Sequence, residues 1–241
     1  RIQKYGMGGF RYNNMSPADL HKQNRVIQEN SKIPALIAAN IEAGGDGGVG
    51  GGTHFGHHVT IGATQDKENA YKLGYYGCKE AAAIGCNWTF APIVDINKNW
   101  RNCVVSSRCF SSEAEQVLDM SKEYLRGAKD AGLASCMKHF PGDGLDERDQ
   151  HIVTTNNDMS VEEWEENFGN VYRGMIDAGV EAVMIGHIRL PEMSRKLRPG
   201  IKDNEIMPAT IAPELLQDLL RDELGFNGCL LYTSPSPRDY A

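Results

Sequence analysis

Long apolar runs are missing from this chain: nothing approaches the roughly 20 consecutive apolar residues that cross a bilayer. Arg1-Ile2-Gln3-Lys4 opens no secretory leader either, so the expectation is a cytoplasmic protein with no membrane partner. Excess positive charge is also absent. The 25 Lys and Arg against 32 Asp and Glu leave a net charge of -7 at pH 7, with a pI near 5.5. Binding to a polyanion relies on basic surface, so nucleic acid is not an expected partner. The six cysteines (Cys78, Cys86, Cys103, Cys109, Cys136 and Cys229) contain no CxxC pair, and they read as reduced core or loop thiols.

What is present is an ordinary globular balance, 41% hydrophobic and 24% charged over 241 residues, enough for one large domain or two small ones. Strands and helices alternate. A weak strand at 5–10 precedes a helix at 16–29, where Ser16 is placed to cap, Pro17 to take the first helical position and Asp19 to sit in the first turn. A buried strand at 33–41, a glycine tract, a helix at 67–84, a strand at 86–96 and a helix at 113–131 follow. A short apolar strand then ends at Met137. Ser160-Val161-Glu162-Glu163 opens a helix as a capping box, 180–188 is a strand, and a helix at 212–224 stops at Gly225. Repeated βα units with continuous apolar strands predict a parallel α/β fold, and the periodicity fits both a barrel and an open sheet.

The stretch from Cys136 to His151, CMKHFPGDGLDERDQH, follows a strand and carries most of the candidate chemistry. Asp149 and His151, two apart, lie on one side of an extended segment, so the carboxylate can hold the ring and raise its basicity for proton transfer. A solvated polar loop is the alternative, since 146–150 are all hydrophilic. Gly45-Asp46-Gly47-Gly48-Val49-Gly50 is a formal GxGxxG with acidic Asp66 and Glu68 beyond it. The residues after it are poor helix formers, so a flexible substrate-facing loop is expected there rather than a dinucleotide cofactor site. His54, His57 and His58 lack the spacing of a helical zinc motif and read as polar loop histidines. Asp95 ends a strand as either a substrate-facing carboxylate or a turn cap. Arg108 is a surface charge or a fork for substrate oxygens, and His187 reads as structural.

KHFPGDG followed by DQH resembles the signature of glycoside hydrolase family 3, in its β-N-acetylglucosaminidase-like branch, whose pattern is KHFPGHG and then D-S-H. APIVDI with RCF after it, AVMIGHI, and PATI with LLRDELGFNG follow in the family's order, so the resemblance runs from about Gly8 to Gly228. It implies a (β/α) TIM-type barrel over residues 1–228 and a retaining glycosidase acting on terminal β-linked N-acetylhexosamine, with a small carbohydrate as partner and no cofactor or metal. Residue by residue, it implies that His151 is the general acid/base, that Asp149 orients it, and that Lys138, His139 and Arg108 bind sugar hydroxyls. A β-glucosidase, a glycoside phosphorylase and a non-catalytic sugar-binding barrel are the neighbouring possibilities, and the oligomeric state is left open.

Three places depart from that pattern. Asn40-Ile41-Glu42-Ala43-Gly44-Gly45 stands where the family has DQEGGRV, with Asn40 in place of a sugar-binding aspartate and no arginine following. Asp143 replaces the first loop histidine. After Gly228 the family continues in an apolar strand ending at its aspartate nucleophile, whereas 229–241 contains Pro235 and Pro237 and resembles a translated sequencing-library adapter. Residues 229–241 are therefore expected to be a non-native tail that fails as a barrel strand, with Asp239 no candidate nucleophile. The barrel is expected to be clipped at its start and cut before the nucleophile strand. Such a piece is expected to be inactive alone and, with open strand edges, to aggregate.

Overall fold

The computed structural model describes residues 2–232. Six strands form one parallel sheet in the order β1 (Gly9–Arg11), β2 (Leu36–Ala39), β3 (Trp88–Thr89), β4 (Ala134–Phe140), β6 (Ala182–Ile185) and β8 (Cys229–Tyr232). A second pair, β5 (Thr155–Asn156) and β7 (Ile188–Arg189), is also parallel. The sheet is the curled wall of a TIM-type α/β barrel, with β1 and β8 as its edges among the described residues.

The central strands β3, β4 and β6 are buried on both faces, which is why they read as continuous apolar runs, whereas the edge strands β1 and β8 are partly exposed. Side chains alternate between the two faces. Ile37, Ala39, Met137, Val183 and Ile185 join the main core beneath the helices. Ala38, Cys136, Ala182 and Met184 face the other way, with Trp88 and Phe90, and line the inner side of the curl. The same parity carries Lys138 inward. The β4–β6 register then shifts between Lys138 and Phe140. This extra residue lets His139 reach the barrel mouth while Phe140 returns to the outer core.

The helix signals hold. Helix 17–29 starts with the Ser16 hydroxyl accepting from the Asp19 N–H at 3.2 Å. Ser160 and Glu163 form the expected reciprocal capping box. The helical run it opens widens to a π turn over Glu165–Gly169, presenting buried Trp164 and Phe168 to the loop after β4. There the Trp164 indole N–H donates to the Pro141 carbonyl at 2.8 Å. Gly142 lies flat on the Phe168 ring, with no room for a Cβ.

Some boundaries differ from expectation. Ile2–Tyr5 is a helical turn closed by Gly6 at φ +60°, so β1 begins only at Gly9. The strand expected at 86–96 pairs regularly over two residues, because Pro92 has no N–H to give the ladder. It stays alongside β4 nevertheless: the Lys138 N–H donates to Pro92 O at 3.2 Å and the Val94 N–H to Lys138 O at 2.9 Å. The expected failure of the strand at Cys229 is corrected as well. Cys229–Tyr232 pairs in register with Ala182–Ile185, because these four residues precede both prolines and are still apolar enough to join the sheet. Residues 233–241, which include Pro235, Pro237 and Asp239, lie outside the described residues. Among the described residues no helix is long and apolar enough to cross a membrane.

Candidate active site

The C-terminal strand ends meet around a carboxylate that the sequence reading passed over. Glu42, just past β2, takes a forked pair of hydrogen bonds from Arg108, Nε to Oε2 and Nη2 to Oε1, both at 2.9 Å. It also accepts from Lys138 Nζ at 2.5 Å, and Lys138 reaches Asn40 Oδ1 at 3.3 Å. Burial pushes the Glu42 carboxyl up, but Lys138 and Arg108 together outweigh burial and hold it below the ordinary carboxylate range. Burial pulls the Lys138 amine below its usual value despite Glu42. The only sequence signal for Glu42 is its place two residues after Asn40, on the same side of an extended chain leaving a strand.

A second network lies under His139. Asp95 is fully buried and accepts three donors: His139 Nδ1 at 2.7 Å, the His139 N–H at 3.0 Å and the Asp143 N–H at 2.9 Å. Burial raises the Asp95 carboxyl, yet His139 and these N–H groups bring it below its usual value. Asp95 is turned away from solvent: it anchors the His139 ring and holds the two N–H groups that bracket the turn after β4. Burial and Asp95 push the neighbouring Asp143 carboxyl up. Asp143 Oδ1 accepts from Asn102 Nδ2 at 2.8 Å and from the Gly144 N–H at 2.7 Å, and Oδ2 from Gln150 Nε2 at 2.6 Å.

His151 and Asp149 stand at the rim. His151 Nδ1 lies 2.7 Å from Asp149 Oδ1, which also accepts the His151 backbone N–H at 2.8 Å. Burial raises the Asp149 carboxyl, and the interactions with the His151 N–H groups and ring together more than reverse it. Both side chains are partly open, 39% for His151 and 33% for Asp149, so the ring can meet a ligand from solvent. Arg108, Lys138, His139 and His151 line one cavity of about 570 Å³ together with Asn40 and Trp88, a size suited to a small molecule. Four of the five site residues named from sequence therefore share a cavity, and the fifth, Asp149, holds one of them.

The glycine tract is corrected. It is not a flexible loop but a tight turn wedged between the Asn40 backbone and the helix at 67–82: a Cβ on Gly47 would collide with the Asn40 carbonyl. The Glu80 carboxylate braces its far end, accepting from the Thr53 N–H at 2.8 Å and Thr53 Oγ1 at 2.6 Å. Asp66 caps helix 67–82 by accepting from the Glu68 N–H at 3.0 Å. Gly47→Ala is expected to lower unfolding free energy by about 2–3 kcal/mol and to raise KM by displacing Asn40. Urea denaturation of the variant measures the first, and an unchanged midpoint would show that the tract yields. The three histidines do not converge. His54 Nδ1 pairs with Asp46 Oδ2 at 2.7 Å, while buried His58 stacks on Phe110 with centroids 4.0 Å apart. Burial takes the His58 ring down to about 3. No three His, Cys, Asp or Glu side chains among the described residues are grouped as metal ligands. His187 is buried with Nδ1 3.1 Å from Thr210 Oγ1, and all six cysteines are unpaired.

A curled parallel sheet whose strand ends carry a cation–carboxylate cluster beside a rim histidine defines a barrel with a small binding cavity, polar at these strand ends and apolar along the strands. The chain belongs to glycosyl hydrolase family 3, whose N terminal domain matches residues 2–232. It is 45% identical over 228 residues to a Beta-N-acetylglucosaminidase/beta-glucosidase of Cellulomonas fimi, covering 95% of this chain and 40% of that protein. It is 30% identical to a Beta-hexosaminidase of Nitrosomonas eutropha, covering 92% and 62%. Among solved structures, Beta-glucoside phosphorylase BglX superposes with a TM-score of 0.92 at 38% identity, covering 94% of this chain and 41% of that one. A glycoside hydrolase family 3 beta-N-acetylglucosaminidase from Paenibacillus sp. str. FPU-7 gives 0.83 at 30% identity, covering 96% and 44%. The chain thus spans less than two thirds of the length of these relatives.

Proposed function

We propose that the protein carrying this chain is a retaining glycosidase that releases terminal β-linked N-acetylhexosamine, with His151 as acid/base. The observation that carries this reading is the 2.7 Å contact between His151 and Asp149 at the rim of the cavity that also holds Arg108, Lys138 and His139. Family membership and the N-acetylglucosaminidase relatives support the substrate class. With Nδ1 held by Asp149, Nε2 is the ring atom that gives a proton to the glycosidic oxygen as the C1–O bond breaks. Once neutral, the same atom accepts a proton from the incoming water. Asp149 accepts from Nδ1 and so fixes the orientation of the ring. Lys138 and Arg108 offer donors to sugar hydroxyls and His139 offers its Nε2, with Glu42 and Asp95 fixing their positions.

The retaining scheme also needs a carboxylate to attack C1. Among the described residues lining the cavity none is a carboxylate. β8 runs parallel to β6 toward the same mouth, and the resemblance puts the nucleophile just past such a strand. No role is assigned to Asp239.

His151→Ala in the full-length protein is expected to lower kcat on an aryl β-N-acetylglucosaminide by at least about a hundredfold. A substrate whose leaving group needs no proton should lose much less in the glycosylation step. Unchanged turnover would sink the assignment. A second reading, phosphorolysis, is supported by the 38% identical phosphorylase neighbour. A neutral imidazole repels an incoming phosphate less than a carboxylate does. Added phosphate should then divert product to the sugar 1-phosphate, and phosphate-independent release of free sugar would exclude this reading.

A further inference from the structure

Gln150, between the two residues of the proposed dyad, is fully buried. Its carboxamide is used at both ends: Nε2 donates to Asp143 Oδ2 at 2.6 Å, and Oε1 accepts the His187 N–H at 2.8 Å. Gly186 makes room for it, since a Cβ there would strike Gln150 Oε1. Neither neighbour in sequence has such an anchor, because Asp149 and His151 bond to each other at the partly open rim. The contacts continue inward. The Asp143 N–H donates to Asp95 Oδ1, and Asp95 Oδ2 receives His139 Nδ1.

We infer that Gln150 is the positioning residue of the acid/base loop, tying the height of His151 over the cavity to the Asp143–Asp95–His139 floor that would hold the sugar. The inference rests on the acid/base role of His151 proposed above. It follows from the geometry that the loop has one buried anchor next to the reacting group and that this anchor ends on the network carrying His139. A proton donor displaced by an ångström loses rate far more than binding, because binding is made by Lys138, Arg108 and His139 while proton transfer needs near-contact geometry.

The bond can be reversed without changing shape or charge, which provides the test. In Asp143→Asn with Gln150→Glu, Oδ1 of residue 143 still accepts from Asn102 and Gly144, and one oxygen of residue 150 still accepts from His187. Only the central bond changes direction, Nδ2 of 143 now donating to the other oxygen of 150. Gln150→Glu alone sets two carboxylates against each other, with Asp95 close behind and His139 and His187 the facing imidazoles. Asp143→Asn alone sets two amide NH₂ groups together, or turns one away from Asn102.

In the full-length protein each single variant is expected to lower kcat at least about tenfold with KM changed less than threefold. The double variant should recover most of the parent rate. Gln150→Glu should also gain a pH dependence. At acid pH the pair shares a proton, the bond re-forms and activity is partly kept, whereas as pH rises through the raised carboxyl value it is lost. His151→Ala is run beside these variants. Turnover retained there overturns the acid/base reading and this inference with it. Turnover lost there, with the single variants at parent kcat, overturns the positioning role alone. A double variant that fails to fold, or folds with the parent's melting midpoint yet turns over no faster than the singles, also overturns it.

Discussion

Glu42→Ala is expected to bring the protein close to unfolding at neutral pH and to abolish turnover. Lys138 is 2% exposed and Arg108 is largely covered. With Glu42 gone, the amine and guanidinium face each other without the carboxylate that separates them. Removing one member of a buried ion pair costs about 3–5 kcal/mol, against a total stability of about 5–15 kcal/mol for a typical domain. Glu42→Gln keeps the shape and one acceptor oxygen and should cost less, while still raising KM by loosening Lys138 and Arg108. The pH sign follows from Glu42 being held below its ordinary value in the folded state. Its contribution is complete above the unfolded value of about 4 and is lost as pH falls toward the folded one. The stability difference between parent and Glu42→Gln, read from urea midpoints at a series of pH values, should therefore narrow below about pH 4. A Glu42→Ala protein melting with the parent would mean that the two cations find other partners.

The parts legible in the sequence are those encoded locally. Ser16-Pro17 and the Ser160 box announce helix starts because cap and partner lie within three residues. The dyad was legible for the same reason, Asp149 and His151 being two positions apart. The strands were legible as buried elements but not in length, because Pro92 and the bulge at His139 act on pairing, which periodicity does not report. Glu42 was not legible as the centre of the site because its partners lie 66 and 96 residues away. Gln150 looked like one more hydrophilic loop residue, and only the fold brings Asp143 and the His187 N–H to it. The glycine tract misled for a related reason. Glycine marks flexibility and close approach alike, and the choice depends on what packs against it, here Asn40 and Glu80. The strand at Cys229–Tyr232 is masked in the sequence by the prolines that follow it, although these four residues suffice to pair with β6.

Asp95 is where an alanine and an isosteric amide should behave most differently. Asp95→Ala leaves two backbone N–H groups and His139 Nδ1 without their acceptor in a dry site. Each orphaned donor costs about 1–3 kcal/mol, so the variant is expected to lose at least about 3 kcal/mol and the ordered loop after β4. In Asp95→Asn, Oδ1 keeps both backbone donors and only the contact to His139 changes. The amide NH₂ now donates to Nδ1, which moves the ring proton to Nε2, facing the cavity. The parent presents Nε2 as an acceptor when the ring is neutral and as a donor when it is charged, but the variant presents a donor throughout. Asp95→Asn is therefore expected to fold, to bind sugar with an altered KM, and to lose the acid sensitivity that Asp95 contributes. That sensitivity has a definite sign. Asp95 is held below its usual value, so its stabilisation is present above about pH 4 and disappears on acidification. The nitrogen-15 shifts of the His139 ring report the tautomer directly. Nδ1 protonated in both proteins would disprove the exchange, and an Asp95→Ala variant as stable as Asp95→Asn would show that the three N–H groups are satisfied without a residue 95 acceptor.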